Sequence, residues 1–416
     1  MNTPWFHYPD NTWTYETATV IGAGIAGHQV ARHLAKRGWR VTIIDRHPSY
    51  PEEASGNAAG IISPKITATP SLGEHFYTQC FNYVIQQFTD IPVLTPYLHP
   101  CGVLKLACKE RDLTRWQKIS ERNFPKQLVR CVTAAEASKL ANIPIHHPAL
   151  FFPMAGWVEP DVFCEGLGFH HNIQYKLSSE AISLHYRNDN WEVWDSQQQI
   201  IALSEALIIC SGQNFDFIPL QELPRMPVAG QTTLVSSGEL GEQLNTVIDH
   251  EGYITPRKIQ HNRYHLIGAS YDAGSSSSEF EPESDQQNLQ KQQSCLPELA
   301  AELEIASEHG HHAVRMTTPD RLPYVGAVPR LAQYEQDYAD LQHGRHWKEY
   351  PPASYYPGLF MAAAFGSHGM TTAALCAETL ACLINNEPLP FDTEIVNALH
   401  PARFWIRQLK RTGNIH

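Results

Sequence analysis

The chain has 416 residues, 43% of them hydrophobic and 18% charged, with a formal net charge of −12. That length suits two to three well-filled structural units, and the composition is that of a globular protein, not a fibrous or disordered one. The acidic balance disfavours broad nonspecific binding to nucleic acid and leaves room only for a local basic patch.

Residues 1–16, MNTPWFHYPDNTWTYE, read as an extended, linker-like leader. They lack a basic segment followed by an apolar one, so no secretory signal is expected. No apolar run approaches the roughly 18–20 residues needed to cross a bilayer. A cytoplasmic location and no membrane partner are therefore expected.

Residues 18–45 carry the strongest local signal. A short apolar run enters Gly22-Ala23-Gly24-Ile25-Ala26-Gly27, a helical pattern follows and stops at Gly38, and the β-branched run Val41–Ile44 ends in Asp45. The glycines allow a tight turn, close approach of backbone to a pyrophosphate, and close helix–strand packing. The helix N-terminus favours phosphate charge. An acid about 20 residues on stands where ribose hydroxyls are read. The combination predicts an adenine dinucleotide.

Further along, residues 72–90 read as a helix, with Leu72, Phe76, Cys80 and Val84 at spacings of four, and more helix is expected up to about 141. Segments 181–195 and 199–210 read as strands, the latter opening on Ser211-Gly212. Strands recur through 228–270, then a Ser- and Glu-rich loop from 275 to 285 and a helix over 286–307. Val314-Arg315 begins another strand, 330–352 reads as a polar insertion, and a buried strand from Gly358 to Phe365 turns at Gly366-Ser367-His368-Gly369 into a helix from Met370 to Ile384. Nine scattered cysteines without a CxxC argue against a disulfide framework and a zinc site. The histidine clusters His146-His147, His170-His171 and His309-Gly310-His311-His312 read as surface loops, so no metal is expected.

Glycine turns at strand ends recur at the start, middle and end of the chain. The expected fold is therefore α/β, a discontinuous Rossmann-like domain with a second, α+β domain inserted. The expected division is 17–85, 150–222 and 318–395 for the dinucleotide domain, 86–149 and 223–317 for the substrate domain, and 396–416 for a basic C-terminal helix.

The dinucleotide motif, the loop Ser55-Gly56-Asn57-Ala58-Ala59-Gly60-Ile61, the strand ending at Gly212 and the segment 365–378 together resemble the D-amino-acid-oxidase group of FAD flavoproteins. The motifs VAGQ (228–231), GYITP (252–256), GASY (268–271), TPDRLPYVG (318–326) and HPARFW (400–405) narrow the resemblance. They are similar to the FAD-dependent half of the bifunctional tRNA 5-methylaminomethyl-2-thiouridine biosynthesis proteins, with the methyltransferase half expected to be missing. The resemblance implies FAD, with Gly22 to Gly27 at the pyrophosphate, Asp45 and Arg46 at the adenosine ribose, and Ser55, Gly56, Asn57, Gly60, Ile61 and Gly212 along the cofactor. It also implies that Gly366, Ser367, His368, Gly369 and Met370 aim backbone N–H groups at the flavin O2 edge.

The chemistry so implied is oxidative removal of the carboxymethyl group from 5-carboxymethylaminomethyluridine at the tRNA wobble position, giving 5-aminomethyluridine and glyoxylate. Arg315 would hold the substrate carboxylate, because a planar, permanently charged fork suits it best. Tyr253 and Tyr271 would contribute a hydroxyl or a wall, and His368 a backbone donor. Arg403, Arg407, Lys410 and Arg411, at helical spacing beside Phe404 and Trp405, would meet tRNA phosphate. A separate SAM-dependent methyltransferase is a further expected partner. The competing readings are a small-molecule oxidase of glycine, sarcosine or another amino acid, a catalytically silent flavin-binding partner of a methyltransferase, and a nicotinamide dehydrogenase.

Overall fold

The structure, a computed structural model, describes residues 3–213, 217, 220–256, 264–277, 279–308, 310–344 and 348–415. His309, one of the clustered histidines, lies outside the described residues.

Two large sheets organise the chain. The first has six strands in the order Tyr324–Pro329, Tyr355–Ala363, Ala206–Ile209, Thr17–Ile21, Arg40–Ile44 and Ile173–Lys176. All neighbours run parallel except the edge strand Tyr324–Pro329. Ala206 to Ile209 are buried throughout, and so are Ile43 and Ile44. Such unbroken apolar runs are what a parallel sheet covered on both faces requires. Helices Ile25–Ala35 and Gly369–Ile384 pack together over one face. The second sheet is mainly antiparallel and centres on the long strand Met226–Ser236, which pairs with His265–Gly268 and with His312–Thr317. Val103–Leu106 joins it in parallel to Val247–Asp249. Fold and sheet content are thus α/β with a second, mixed unit, as the sequence implies.

Helix Leu72–Asp90 matches its expected span, and Ser71 caps it by accepting the Glu74 N–H at 3.1 Å. Other expectations need correction. The helix expected over 286–307 is instead Pro282–Cys295 and Pro297–Ala300, followed by a short strand at Glu304–Ile305. Pro297 has no N–H to continue the first helix, and Leu296 before it leaves the helical region. The stretch 330–352 is not a mere polar insertion. Leu331–Tyr338 is helical, and Tyr334 and Tyr338 are fully buried edge-on to each other, Tyr338 also against Trp5 and Tyr334 against Trp405. The leader is likewise docked: Trp13 donates its indole N–H to Ile384 O at 2.8 Å and stacks edge-on to Trp39.

Candidate functional site

A cavity of about 840 Å³ runs between the two sheets, within the range of ligand-binding clefts. One end is the glycine turn after the first strand. Gly22 has φ +110°, and a Cβ there would lie 2.5 Å from Cys210 O. A Cβ on Gly27 would lie 1.9 Å from Gly22 O, so strand and helix meet backbone to backbone. Ala23, Gly24, Ile25 and Ala26 complete the turn into the helix, and all but Ala23 line the cavity with Gly22. Ser55 Oγ accepts the Ile25 N–H at 3.1 Å, closing on the helix N-terminus. The Asp45 carboxylate is fixed by two backbone donors, Ala23 N–H at 2.7 Å and His47 N–H at 2.9 Å. Arg46 is ion-paired with Glu53 at the same rim. Gly212 has φ +60° on the adjacent strand end.

The loop Ser55–Ile61 carries the floor of the cavity towards the second sheet. Asn57 is its joint. Its side-chain N–H₂ donates to Ala59 O at 3.0 Å and reaches the Tyr253 hydroxyl at 3.5 Å, while its Oδ1 accepts from Thr232 at 3.0 Å. Gly56 faces His311, and Gly60 faces Met370, whose Cγ would lie 2.6 Å from any Cβ placed there. At the far end Ala364 and Gly366 both adopt left-handed φ, which swings Gly366–Gly369 into the cavity wall and starts the helix Gly369–Ile384. Strain of this kind persists only where its surroundings impose it. His368, on the cavity wall, has its pKa pushed down to about 4 by burial within the cleft and then by the Lys65 and Lys105 charges. Its imidazole is neutral at ordinary pH.

Arg315 stands opposite, on the strand His312–Thr317 in register with Val228. The neighbouring strand leaves room for it at Gly230, where a Cβ would lie 2.2 Å from the Arg315 guanidinium. Burial lowers the Arg315 pKa, opposed by Tyr253 and Tyr271. Among the described residues no carboxylate is paired with it. Burial raises the Tyr253 pKa against the opposing effects of Asn57 and Arg315, so its hydroxyl keeps its proton. Tyr271, 61% exposed, is a wall at the mouth. The cavity therefore presents, at one end, backbone amides and a helix N-terminus suited to phosphate, and at the other a guanidinium fork and a phenol suited to a carboxylate.

The family model for FAD dependent oxidoreductases, DAO, matches residues 17–383. The chain belongs to this family. It is an FAD-dependent oxidoreductase, and FAD is its cofactor. Among curated proteins it is similar to the "tRNA 5-methylaminomethyl-2-thiouridine biosynthesis bifunctional protein MnmC" of Aeromonas salmonicida (strain A449), 32% identical over 98% of this chain and 61% of that one. The protein of the same name from Methylobacillus flagellatus is 32% identical over 94% of this chain and 60% of its own length. The chain thus spans roughly three fifths of these relatives. Among solved structures it is similar to glycine oxidase from Geobacillus kaustophilus, with TM-score 0.74 and 20% identity over 94% of this chain and 98% of that one. Fructosyl amine: oxygen oxidoreductase from Aspergillus fumigatus matches with TM-score 0.74 and 15% identity, over 98% and 94% of the two chains. These two share the fold.

In this DAO-family chain the C-terminal basic helix is not the open face that its spacing implied. Arg403 is 1% exposed and bound to Asp320 through two hydrogen bonds, of 2.9 and 3.0 Å, with a third donated to Leu322 O at 2.6 Å. Arg407 reaches the same carboxylate at 2.8 Å, and Lys410 lies 4.8 Å over the Trp5 ring. Arg411 is exposed. Arg403 is thus a buried strut rather than an RNA contact, because its partner holds it inward. Burial opposes ionisation of Asp320, but the Arg403 hydrogen bonds and charge outweigh it and keep the carboxyl below its ordinary pKa. Arg403→Met should cost about 3 kcal/mol at pH 7, because it takes the buried partner from a carboxylate that is 21% exposed and leaves it only the half-exposed Arg407 as counter-charge. The depressed pKa makes this contribution complete above the unfolded carboxyl value of about 3.9 and lost as the pH falls through the folded one. Denaturant melts of both proteins at pH 7 and pH 3 check it: the difference should shrink at the lower pH.

The family chain also carries one pairing that local spacing could not reveal. Cys108 and Cys295, separated by 187 residues, form a disulfide. A nitrogen of His147 and the two sulfurs all lie within 4.8 Å of one another. Sequence reading also missed Lys65, Lys105, Arg115 and Arg321 on the cavity wall. The signal was present for two of them: Lys65 lies four residues beyond the loop Ser55–Ile61, and Arg321 lies inside the TPDRLP motif.

Proposed function

We propose that this chain oxidises the C–N bond beside a carboxylate in a 5-carboxymethylaminomethyl group on the tRNA wobble uridine, leaving 5-aminomethyluridine and glyoxylate. The observation that carries the reading is the Arg315 guanidinium, turned to the cavity without a carboxylate partner among the described residues, opposite the Gly366–Met370 turn. The relatives' name supplies the substrate class, since 98% of the chain aligns with a protein of that name.

In this reading Gly22, Ala23, Gly24, Ile25, Ala26 and Gly27 take the pyrophosphate of FAD, and Asp45 with Arg46 the adenosine ribose. Ser55, Gly56, Asn57, Gly60, Ile61 and Gly212 run alongside. The fit rests on the cradle at Gly22 and Gly27, which any side chain would fill, and on a cavity long enough to join that cradle to Gly366. Bound FAD supplies the hydride acceptor for the methylene between amine and carboxylate. Arg315 holds the carboxylate in a two-toothed grip, and protonated Tyr253 donates to it. Backbone N–H groups of Gly366–Met370 face the place where negative charge develops. His368, neutral, adds no charge to repel it. The substrate amine must be neutral, so that its lone pair assists departure of the hydride, and water then cleaves the imine. Positioning is therefore most of what the protein contributes.

Anaerobic mixing of the purified holoprotein with tRNA from a strain blocked at the carboxymethylaminomethyl stage tests this. Loss of flavin absorbance near 450 nm (approximate for flavins) with release of glyoxylate is expected. The second reading, a small-molecule amine oxidase, is favoured by the glycine oxidase fold. Bleaching by free glycine or sarcosine with none by the tRNA would establish it.

A further inference from the structure

Lys65, Lys105, Arg115 and Arg321 line the cavity on the side of its mouth, against an overall charge of −12. Lys105 is neutralised by Asp249 at 2.7 Å. Glu251, also on the wall, is taken by Lys109 and Arg111. Lys65, Arg115 and Arg321 make no ion pair with any described residue. They also act on one another: the Lys65 ammonium is lowered in pKa by burial, then by Arg321, Lys105 and Arg115. A side chamber of about 110 Å³ joins Lys65 and Arg321 to Arg315 and Gly366–His368.

The placement of Arg321 is built rather than incidental. It has φ +62°, a left-handed conformation that a long side chain rarely adopts. The Tyr77 hydroxyl donates to its carbonyl at 2.9 Å, and Lys65 lies 4.8 Å over the same Tyr77 ring. Next to it Asp320 accepts from Thr318 at 3.0 Å and from the buried Arg403. The C-terminal helix thus braces the turn from which Arg321 projects. Strain held by so many partners, at the rim of a reaction cavity, is of the kind found at functional sites.

The geometry points to Lys65 and Arg321, with Arg115 further out, as a seat for the phosphodiester backbone beside the nucleotide whose modified base enters the cavity. The inference rests on the tRNA reading above. Arg315 alone matches the single carboxylate of an amino acid, and three further cations exceed what such a substrate can neutralise. A polynucleotide brings one negative charge per nucleotide, and clustered cations at close range gain most from it. The FAD phosphates are served at the other end, by Gly22–Gly27.

The test measures equilibrium binding of holoprotein, its flavin reduced beforehand so that no turnover occurs, to substrate tRNA without oxygen across a salt series. It compares wild type, Lys65→Gln, Arg321→Asn and the double variant. Asparagine tolerates left-handed φ, so the turn survives loss of the charge. Each substitution should flatten the slope of log affinity against log salt by about 0.7–1, and the double variant should bind roughly 10- to 100-fold more weakly at low salt. The ratio of kcat/KM on tRNA to that on the free modified nucleoside should fall to a similar degree. Lys176→Gln, on the opposite edge of the first sheet, is the control and should keep the wild-type slope. An unchanged slope in the double variant overturns the proposal, as does a flavin spectrum displaced by Lys65→Gln with binding intact, which would assign the lysine to the cofactor. A wild-type protein that neither binds nor oxidises the tRNA but oxidises glycine sinks the tRNA reading itself, and the two failures are told apart by wild type alone.

Discussion

Arg315→Ala is expected to raise KM for the carboxylate-bearing substrate by roughly 100- to 4,000-fold while FAD stays bound. A substrate carboxylate entering this cavity leaves water, and removal of one partner from a desolvated charge pair costs about 3–5 kcal/mol. At 1.4 kcal/mol per factor of ten, that cost gives the stated range. Arg315→Lys should recover only part of the loss, because an ammonium keeps the charge and forfeits the planar fork. Gly230→Ala should fall between them, since its new Cβ would occupy the place of the guanidinium nitrogen now 2.2 Å away. Steady-state kinetics, together with the ratio of flavin to protein absorbance, measures all three. Wild-type KM in Arg315→Ala would remove the guanidinium from substrate binding.

Gly27→Ala is expected to yield protein largely free of FAD and several degrees less heat-stable. The added Cβ would stand 1.9 Å from Gly22 O and 3.3 Å from the Val20 side chain. The first neighbour is backbone, inside the turn proposed to cradle the phosphates, and has no rotamer to yield. Relief requires the helix Ile25–Ala35 to move off the first strand, which takes its N-terminus away from the proposed pyrophosphate site. Gly73→Ala is the matched control. Nothing lies within 4 Å of its Cβ, and alanine is the better helix former by about 0.8–1 kcal/mol. Flavin retention after gel filtration and a thermal melt distinguish the pair; full FAD content in Gly27→Ala would show that the helix can retreat without harm.

The parts of this molecule legible in its sequence are those whose partners lie nearby in the chain. The turn at Gly22–Gly27 and its acid Asp45 belong to one βαβ unit, so spacing alone reveals them. Helix Leu72–Asp90 is bounded by its own cap. Arg403 misled for the opposite reason. A basic residue at helical spacing beside aromatics looks like a surface face, and only the fold brings Asp320, 83 residues upstream, to its guanidinium. The burial of Tyr334 and Tyr338 was hidden in the same way, because the leader and the C-terminal helix that cover them come from both ends of the chain. Cys108 and Cys295 had no local spacing to read at all. The cationic wall shows a further limit: Lys65, Arg115 and Arg321 are ordinary surface residues until three separate segments converge.

Asn57 sets a tolerance for the whole enzyme. It is bound at once to its own loop, to Thr232 on the long strand of the second sheet, and to the Tyr253 hydroxyl. One amide thereby acts as a feeler gauge between the second sheet and the loop Ser55–Ile61, whose Ser55 closes on the N-terminus of the helix Ile25–Ala35. A shift of that loop against the second sheet would have to break a bond at this point before it changed the spacing across the cavity. Reach between the two halves of the reaction is thus calibrated by a side chain that need not touch the reacting atoms.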